Sequence, residues 1–162
     1  MVTPLGRIEP IKMERSSLVQ RTLFIIKPDA IRRNKVGDIL NDLKASGLKL
    51  IRQKKINLPL ETLKRLYEEH EGKDFYDNLI KYMTGGTVIC AVVEGVDAIQ
   101  RLRDLMGATI PSKAAPNTIR GKYRAESDTG PSGAIENLVH GSDRQERAIF
   151  EVGLLFGEDV TK

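Results

Sequence analysis

Two histidines make up the whole imidazole complement of this 162-residue chain, and one of them stands in an unusual setting. His140 lies in Asn137-Leu138-Val139-His140-Gly141-Ser142-Asp143, among small and polar residues. Such neighbours can hold a ring at one angle with a nitrogen exposed, which nucleophilic catalysis by imidazole requires. A solitary histidine is more often structural or merely at the surface, so the motif needs support from elsewhere in the chain. The other, His70, stands among acids in Tyr67-Glu68-Glu69-His70-Glu71 and is given no role.

Support comes first from cationic groups. Lys27 closes the apolar run Leu23-Phe24-Ile25-Ile26 just before Pro28-Asp29. A lysine there commonly marks a strand reaching solvent, but it can also present a point charge to a phosphate. Arg103, Thr109 and Arg120 supply two guanidinium groups and a hydroxyl, a set able to clamp a polyphosphate through charge-assisted hydrogen bonds if the fold gathers them. Arg103 could equally do no more than border the buried face marked by Ile99, Leu102 and Met106. The chain has no Walker-type phosphate loop. Tyr67 and Phe75 read first as core aromatics. Glu151 follows His140 by eleven positions and is read as opening the last strand, from which its carboxylate could orient the imidazole.

Bulk properties narrow the classes. With 40% hydrophobic and 30% charged residues the chain reads as a soluble globular domain, not a disordered one. Trp is absent and aromatics are 5%, so the core must rest on Ile, Leu and Val. A net charge of +4, spread along the chain, suits an anionic ligand without requiring nucleic acid. One cysteine, Cys90, excludes an intramolecular disulfide, and with only two histidines beside it makes a poor zinc set. No protein-held metal is expected. No run approaches the roughly 20 apolar residues that span a bilayer. The start lacks a signal-peptide core, and Glu9 and Glu14 argue against a transit peptide, so a cytoplasmic location is predicted.

The elements that must position these residues follow from periodicity. Residues 1–20 read as an N-terminal arm, with Met13 a candidate start, and residues 21–162 as one domain. Strands are predicted over 21–27, 48–58, 87–93 and 151–156. Helical spacing runs from Ile31 to Leu43, Leu60 to Tyr67, Phe75 to Tyr82, Val96 to Met106 and Arg144 to Phe150. The prolines of 110–117 and the Ser, Gly and Pro of 125–133 mark loops. The order β-α-β-α-β-α-β predicts an α+β, ferredoxin-like sandwich: a four-stranded antiparallel sheet with helices covering one face.

Taken together, Arg21-Thr22-Leu23-Phe24-Ile25-Ile26-Lys27-Pro28-Asp29-Ala30, Lys81-Tyr82-Met83, Thr118-Ile119-Arg120-Gly121 and the His140 run resemble nucleoside diphosphate kinases, in the family's order and from Arg21 to about Phe156. The resemblance implies that His140 takes the γ-phosphate of a nucleoside triphosphate such as ATP and passes it to a nucleoside diphosphate, in a ping-pong exchange with broad base specificity. It implies that Lys27 meets the ribose hydroxyls and γ-phosphate, and that Asn137 lies near the ribose 3′-hydroxyl. Arg103, Thr109 and Arg120 would hold the β- and γ-phosphates, and Tyr67 would line the site beside the transferred group. Glu151 would bond the imidazole nitrogen that does not attack, with Ser142 supporting that pair, and Phe75 would stack on the base. Mg²⁺ would arrive mainly with the nucleotide. A homo-oligomer is implied, a hexamer in preference to a tetramer.

The chain departs from the family pattern between Arg120 and Asn137, where it is several residues longer than most members, the surplus falling in 124–133. Lys73 stands where an Arg is frequent, and little chain follows Phe156. Two rival readings are a ferredoxin-like nucleotide- or RNA-binding module without catalysis and a catalytically silent relative. The first lacks the paired sheet aromatics that stack bases in RNA-recognition modules. The second is opposed by the intact His140, Lys27, Arg103, Arg120 and Asn137.

Overall fold

The computed structural model describes residues 18–157, so most of the expected arm, with Met13, lies outside the described residues. The first strand, β1 (Val19–Ile26), starts at Val19 and not Arg21. It is followed by α1 (Pro28–Arg32), α2 (Val36–Ala45), β2 (Lys49–Ile56), α3 (Leu60–Leu66), α4 (Tyr76–Thr84), β3 (Val88–Val96) and α5 (Ala98–Met106). Then come the short α6 (Ile119–Lys122), β4 (Val139–Gly141) and α7 (Gln145–Phe156). The sheet runs β2-β3-β1-β4, and every neighbouring pair is antiparallel. The α+β, four-stranded antiparallel architecture is therefore as expected.

Three details are corrected. Helices pack on both faces of the sheet, not on one. Leu23, Phe24, Ile25 and Ile26 are all at most 1% exposed, and successive strand residues point to opposite faces. Leu23 and Ile25 belong to one core cluster with Leu63 and Leu66 of α3, Met83 of α4 and Val152 of α7, while Phe24 and Ile26 belong to another with Ile39 and Leu43 of α2, Leu102 of α5 and Ile119 of α6. Each such side chain contributes roughly 1.5–3 kcal/mol by leaving water.

The fourth strand is not 151–156 but Val139–Gly141, three residues that include His140. Residues 151–156 continue the helix begun at Gln145. Ala148, Val152 and Leu155 recur at spacings of four and three and are buried on one stripe, which is a helical period. Glu151 is thus in mid-helix, one position before Val152. The run Ile31–Leu43 is also two helices, not one, divided where Asn34 adopts φ 58°.

Candidate active site

The strand β4 puts His140 opposite Ile25, with Val139 and Gly141 buried on either side. Its imidazole is met from two directions. The Tyr67 ring, at the C-terminal end of α3, lies edge-on at 5.7 Å and 89°. From α7, Glu151 Oε1 lies 2.9 Å from His140 Nε2 and also accepts the Ser142 hydroxyl at 2.7 Å. The second carboxylate oxygen accepts from Arg147 Nε at 3.3 Å. Arg147 is itself anchored to the Leu66 carbonyl at 2.9 Å and to Glu68 at 3.0 Å. Burial alone would raise the Glu151 carboxyl, but the His140 ring, the Ser142 hydroxyl and Arg147 outweigh it and hold the group below its ordinary value. An ionised carboxylate on Nε2 selects the tautomer with the proton there. Nδ1 is left as the lone-pair nitrogen, and among the described residues it has no hydrogen-bonding partner.

Lys27 does not reach solvent at the end of its strand. It is 5% exposed, donates to Asn137 Oδ1 at 2.8 Å and lies 5.4 Å above the Tyr82 ring. Burial, with the Arg120 charge adding to it and Asp29 opposing, lowers its pKa to about 7. Asn137 in turn donates to the Thr109 carbonyl at 3.0 Å.

Arg120 is 7% exposed and braced on three carbonyls: Asn137 at 3.1 Å, Gly107 at 3.0 Å and Val139 at 2.7 Å. Three of its five N–H groups are thereby used, fixing the plane of the guanidinium and leaving two to a ligand. Burial, and then the Arg103 charge, depress its pKa to about 10. The backbone needs glycine on both sides. Gly107 has φ +89° and a Cβ there would overlap Thr118, while a Cβ on Gly121 would overlap the Ala115 carbonyl. Arg103 and Thr109 are exposed at the rim.

Phe75 is 49% exposed and not a core residue. Its ring meets His70 at 5.2 Å, and His70 lies over Tyr67 at 6.4 Å. His70, passed over in the sequence, therefore links the exposed aromatic to the His140 pocket. Arg147 was also missed, and Asp29 stood in the Lys27-Pro28-Asp29 run without a role. Each is a buried charged residue that no spacing distinguishes from a surface one. The loop ahead of Asn137 is a small closed hairpin: Thr129 bridges Ile135, and Asp128 accepts from the Ser112 amide at 3.0 Å. It borders a cavity of about 370 Å³ beside α1, lined by Asp29, Arg32, Arg33, Glu126 and Glu136 among others. Among the described residues no His, Cys, Asp and Glu side chains group as a metal site. No described helix is long and apolar enough to cross a membrane.

The sequence profile described as nucleoside diphosphate kinase matches residues 20–160. The chain belongs to the nucleoside diphosphate kinase family. A relative so named from Sulfurisphaera tokodaii is 42% identical over 141 residues, covering 87% of this chain and 91% of its own. Among solved structures, a transition-state mimic of the Borrelia burgdorferi nucleoside-diphosphate kinase with vanadate and ADP aligns with TM-score 0.81 at 31% identity, over 90% of this chain and 91% of that one. The Halobacterium salinarum nucleoside diphosphate kinase in complex with CDP gives 0.79 at 37%, over 90% and 92%. As a family member the chain is a phosphotransferase that moves the γ-phosphate of a nucleoside triphosphate to a nucleoside diphosphate through a phosphohistidine. The non-catalytic binding reading is not favoured.

Proposed function

We propose that Nδ1 of His140 is the atom that carries the phosphoryl group. The Nδ1 lone pair attacks the γ-phosphorus, the bond to the β-phosphate oxygen breaks, and the nucleoside diphosphate leaves. The second diphosphate then attacks the same phosphorus through a terminal oxygen, and the P–N bond breaks. Glu151, supported by Ser142, keeps the proton on Nε2 and stabilises the positive ring that forms. The observation that carries this reading is the 2.9 Å contact between His140 Nε2 and Glu151, which leaves Nδ1 as the lone-pair nitrogen.

The remaining roles follow from charge and shape. Lys27, Arg103, Thr109 and Arg120 hold the phosphates, since phosphoryl transfer needs positioning and charge stabilisation above all. Asn137 and Lys27 reach the ribose hydroxyls, and Tyr67 walls the transferred group. Phe75 stacks on the base, and a flat contact that reads no base edge accounts for broad specificity. A set of cations and a hydroxyl, with no carboxylate cage among the described residues, suits Mg²⁺ carried on the nucleotide phosphates, where it would neutralise charge on the transferring group. A cytoplasmic homo-oligomer, a hexamer in preference to a tetramer, completes the reading, and light scattering of the pure protein decides between them.

Incubation with γ-labelled ATP tests the central step. Acid-labile, base-stable label on the protein that chases onto GDP is expected, and none on His140→Ala. Label retained by that variant would move the nucleophile elsewhere.

A further inference from the structure

Leu138 has φ +73°, in the left-handed region that side-chain-bearing residues avoid. The Val139 N–H donates back to the Asn137 carbonyl at 2.8 Å, so Leu138 is the centre of a three-residue γ-turn of the rare, strained hand. A strained turn persists only where its surroundings over-determine it. Here it joins Asn137 to the strand that carries His140. The Leu138 side chain is buried in the core below the sheet. The Asn137 and Val139 carbonyls are braced by Arg120.

The Leu138 peptide groups are held by a single short segment, Lys27-Pro28-Asp29. The Lys27 N–H donates to the Leu138 carbonyl at 2.8 Å, and the Leu138 N–H donates to Asp29 Oδ2 at 3.2 Å. Pro28 fixes the backbone between them. Asp29 is fully buried, and its other oxygen accepts the Tyr82 hydroxyl, which sets the plane of the carboxylate.

We propose that Asp29 is a positioning residue for phosphoryl transfer: its carboxylate grips the strained Leu138 turn and thereby fixes His140 and Asn137 relative to one another. This rests on the reading of His140 as the nucleophile. The two Asp29 oxygens are taken by the Leu138 N–H and the Tyr82 hydroxyl, so it acts through the backbone. A competing role exists on the same residue, because Asp29 is also a countercharge for the buried Lys27 and Arg120. The two roles make opposite demands on an amide replacement. Asn keeps an acceptor oxygen for the Leu138 N–H, and its NH₂ can donate to the Tyr82 oxygen, but it carries no charge.

The test compares Asp29→Ala and Asp29→Asn in the full chain, by the single-turnover rate of label transfer from γ-labelled ATP at saturation and by KM. Asp29→Ala is expected to lose up to about 100-fold in that rate, the scale of a small misplacement of reacting groups, with KM little changed. Asp29→Asn is expected to recover most of it. An Asn variant as slow as the Ala one would make the residue a countercharge and overturn the proposal, as would a loss confined to KM or an unchanged Ala rate. If circular dichroism shows Asp29→Ala unfolded, Tyr82→Phe decides: a slower single turnover at unchanged KM supports the grip, and an unchanged rate refutes it. Absence of label on the unsubstituted protein would instead sink the nucleophile reading.

Discussion

One oxygen of Glu151, Oε1, serves both His140 Nε2 at 2.9 Å and the Ser142 hydroxyl at 2.7 Å. The histidine is thus oriented by a carboxylate that is itself oriented. Glu151→Gln should lower kcat on the order of 100-fold while moving KM little, because the lost interaction is with charge that develops during transfer. Steady-state exchange between ATP and a second diphosphate measures it.

The same carboxylate ties stability to pH. Glu151 binds its proton less readily folded than unfolded, so it stabilises the fold above the ordinary glutamate value of about 4.3 and that contribution is lost as pH falls through the lower folded value. Thermal midpoints taken at falling pH should therefore drop more steeply for the unsubstituted chain than for Glu151→Gln.

Lys27 has the opposite sign. Its folded pKa is about 7 against an ordinary 10.5, so between those values the unfolded chain holds more protons and stability rises with pH. Below about 7 the buried charge weighs on the fold in full. Lys27→Met should flatten that slope. A phosphate beside Lys27 would draw a proton back onto it. Nucleotide binding at pH 8 is expected to take up a proton, seen as a calorimetric enthalpy that varies with buffer, and the Met variant should lose that dependence.

Arg120 holds three backbone carbonyls as well as two free N–H groups. Removing it should therefore injure fold and chemistry together. Arg120→Ala is expected to destabilise by about 1–3 kcal/mol for each carbonyl left buried without a partner, and to weaken transfer strongly. Arg120→Lys should rescue little, since one ammonium cannot span the three carbonyls. A denaturant titration alongside the exchange assay separates the two effects.

Phe75, half-exposed with one edge against His70, should matter for affinity alone. Phe75→Ala is expected to raise KM by about tenfold or more, the scale of one lost base–aromatic stack, and by similar factors for adenine, guanine and pyrimidine nucleotides. A factor that differed sharply among bases would show that their edges are read.

Much of this was legible in the sequence. The unbroken run Leu23–Ile26, the spacing of Ile99, Leu102 and Met106, and the residues around His140 each carry their own signal. The last strand was not, because three residues are too few to show a period. The apolar stretch 152–156 drew the strand assignment instead, although Ala148, Val152 and Leu155 keep helical spacing. Lys27 misled through the general habit of lysines, since only the fold reveals that Asn137 closes over it. Arg147 gave no sign, and Asp29, though it stands in the Lys27-Pro28-Asp29 run, gave none of its role, because a buried charge differs from a surface one only in what it touches.

Leu138 also predicts how narrowly this position can vary. Glycine would relieve the backbone, worth about 1–3 kcal/mol for a residue held at such a φ. It would also vacate a leucine-sized hole in the core, a loss of about 2–5 kcal/mol. Asparagine suits the backbone but would bury an amide. Glycine and asparagine, the two residues that best suit the backbone, thus each forfeit something in the core, and saturation mutagenesis should find position 138 among the least permissive in the chain.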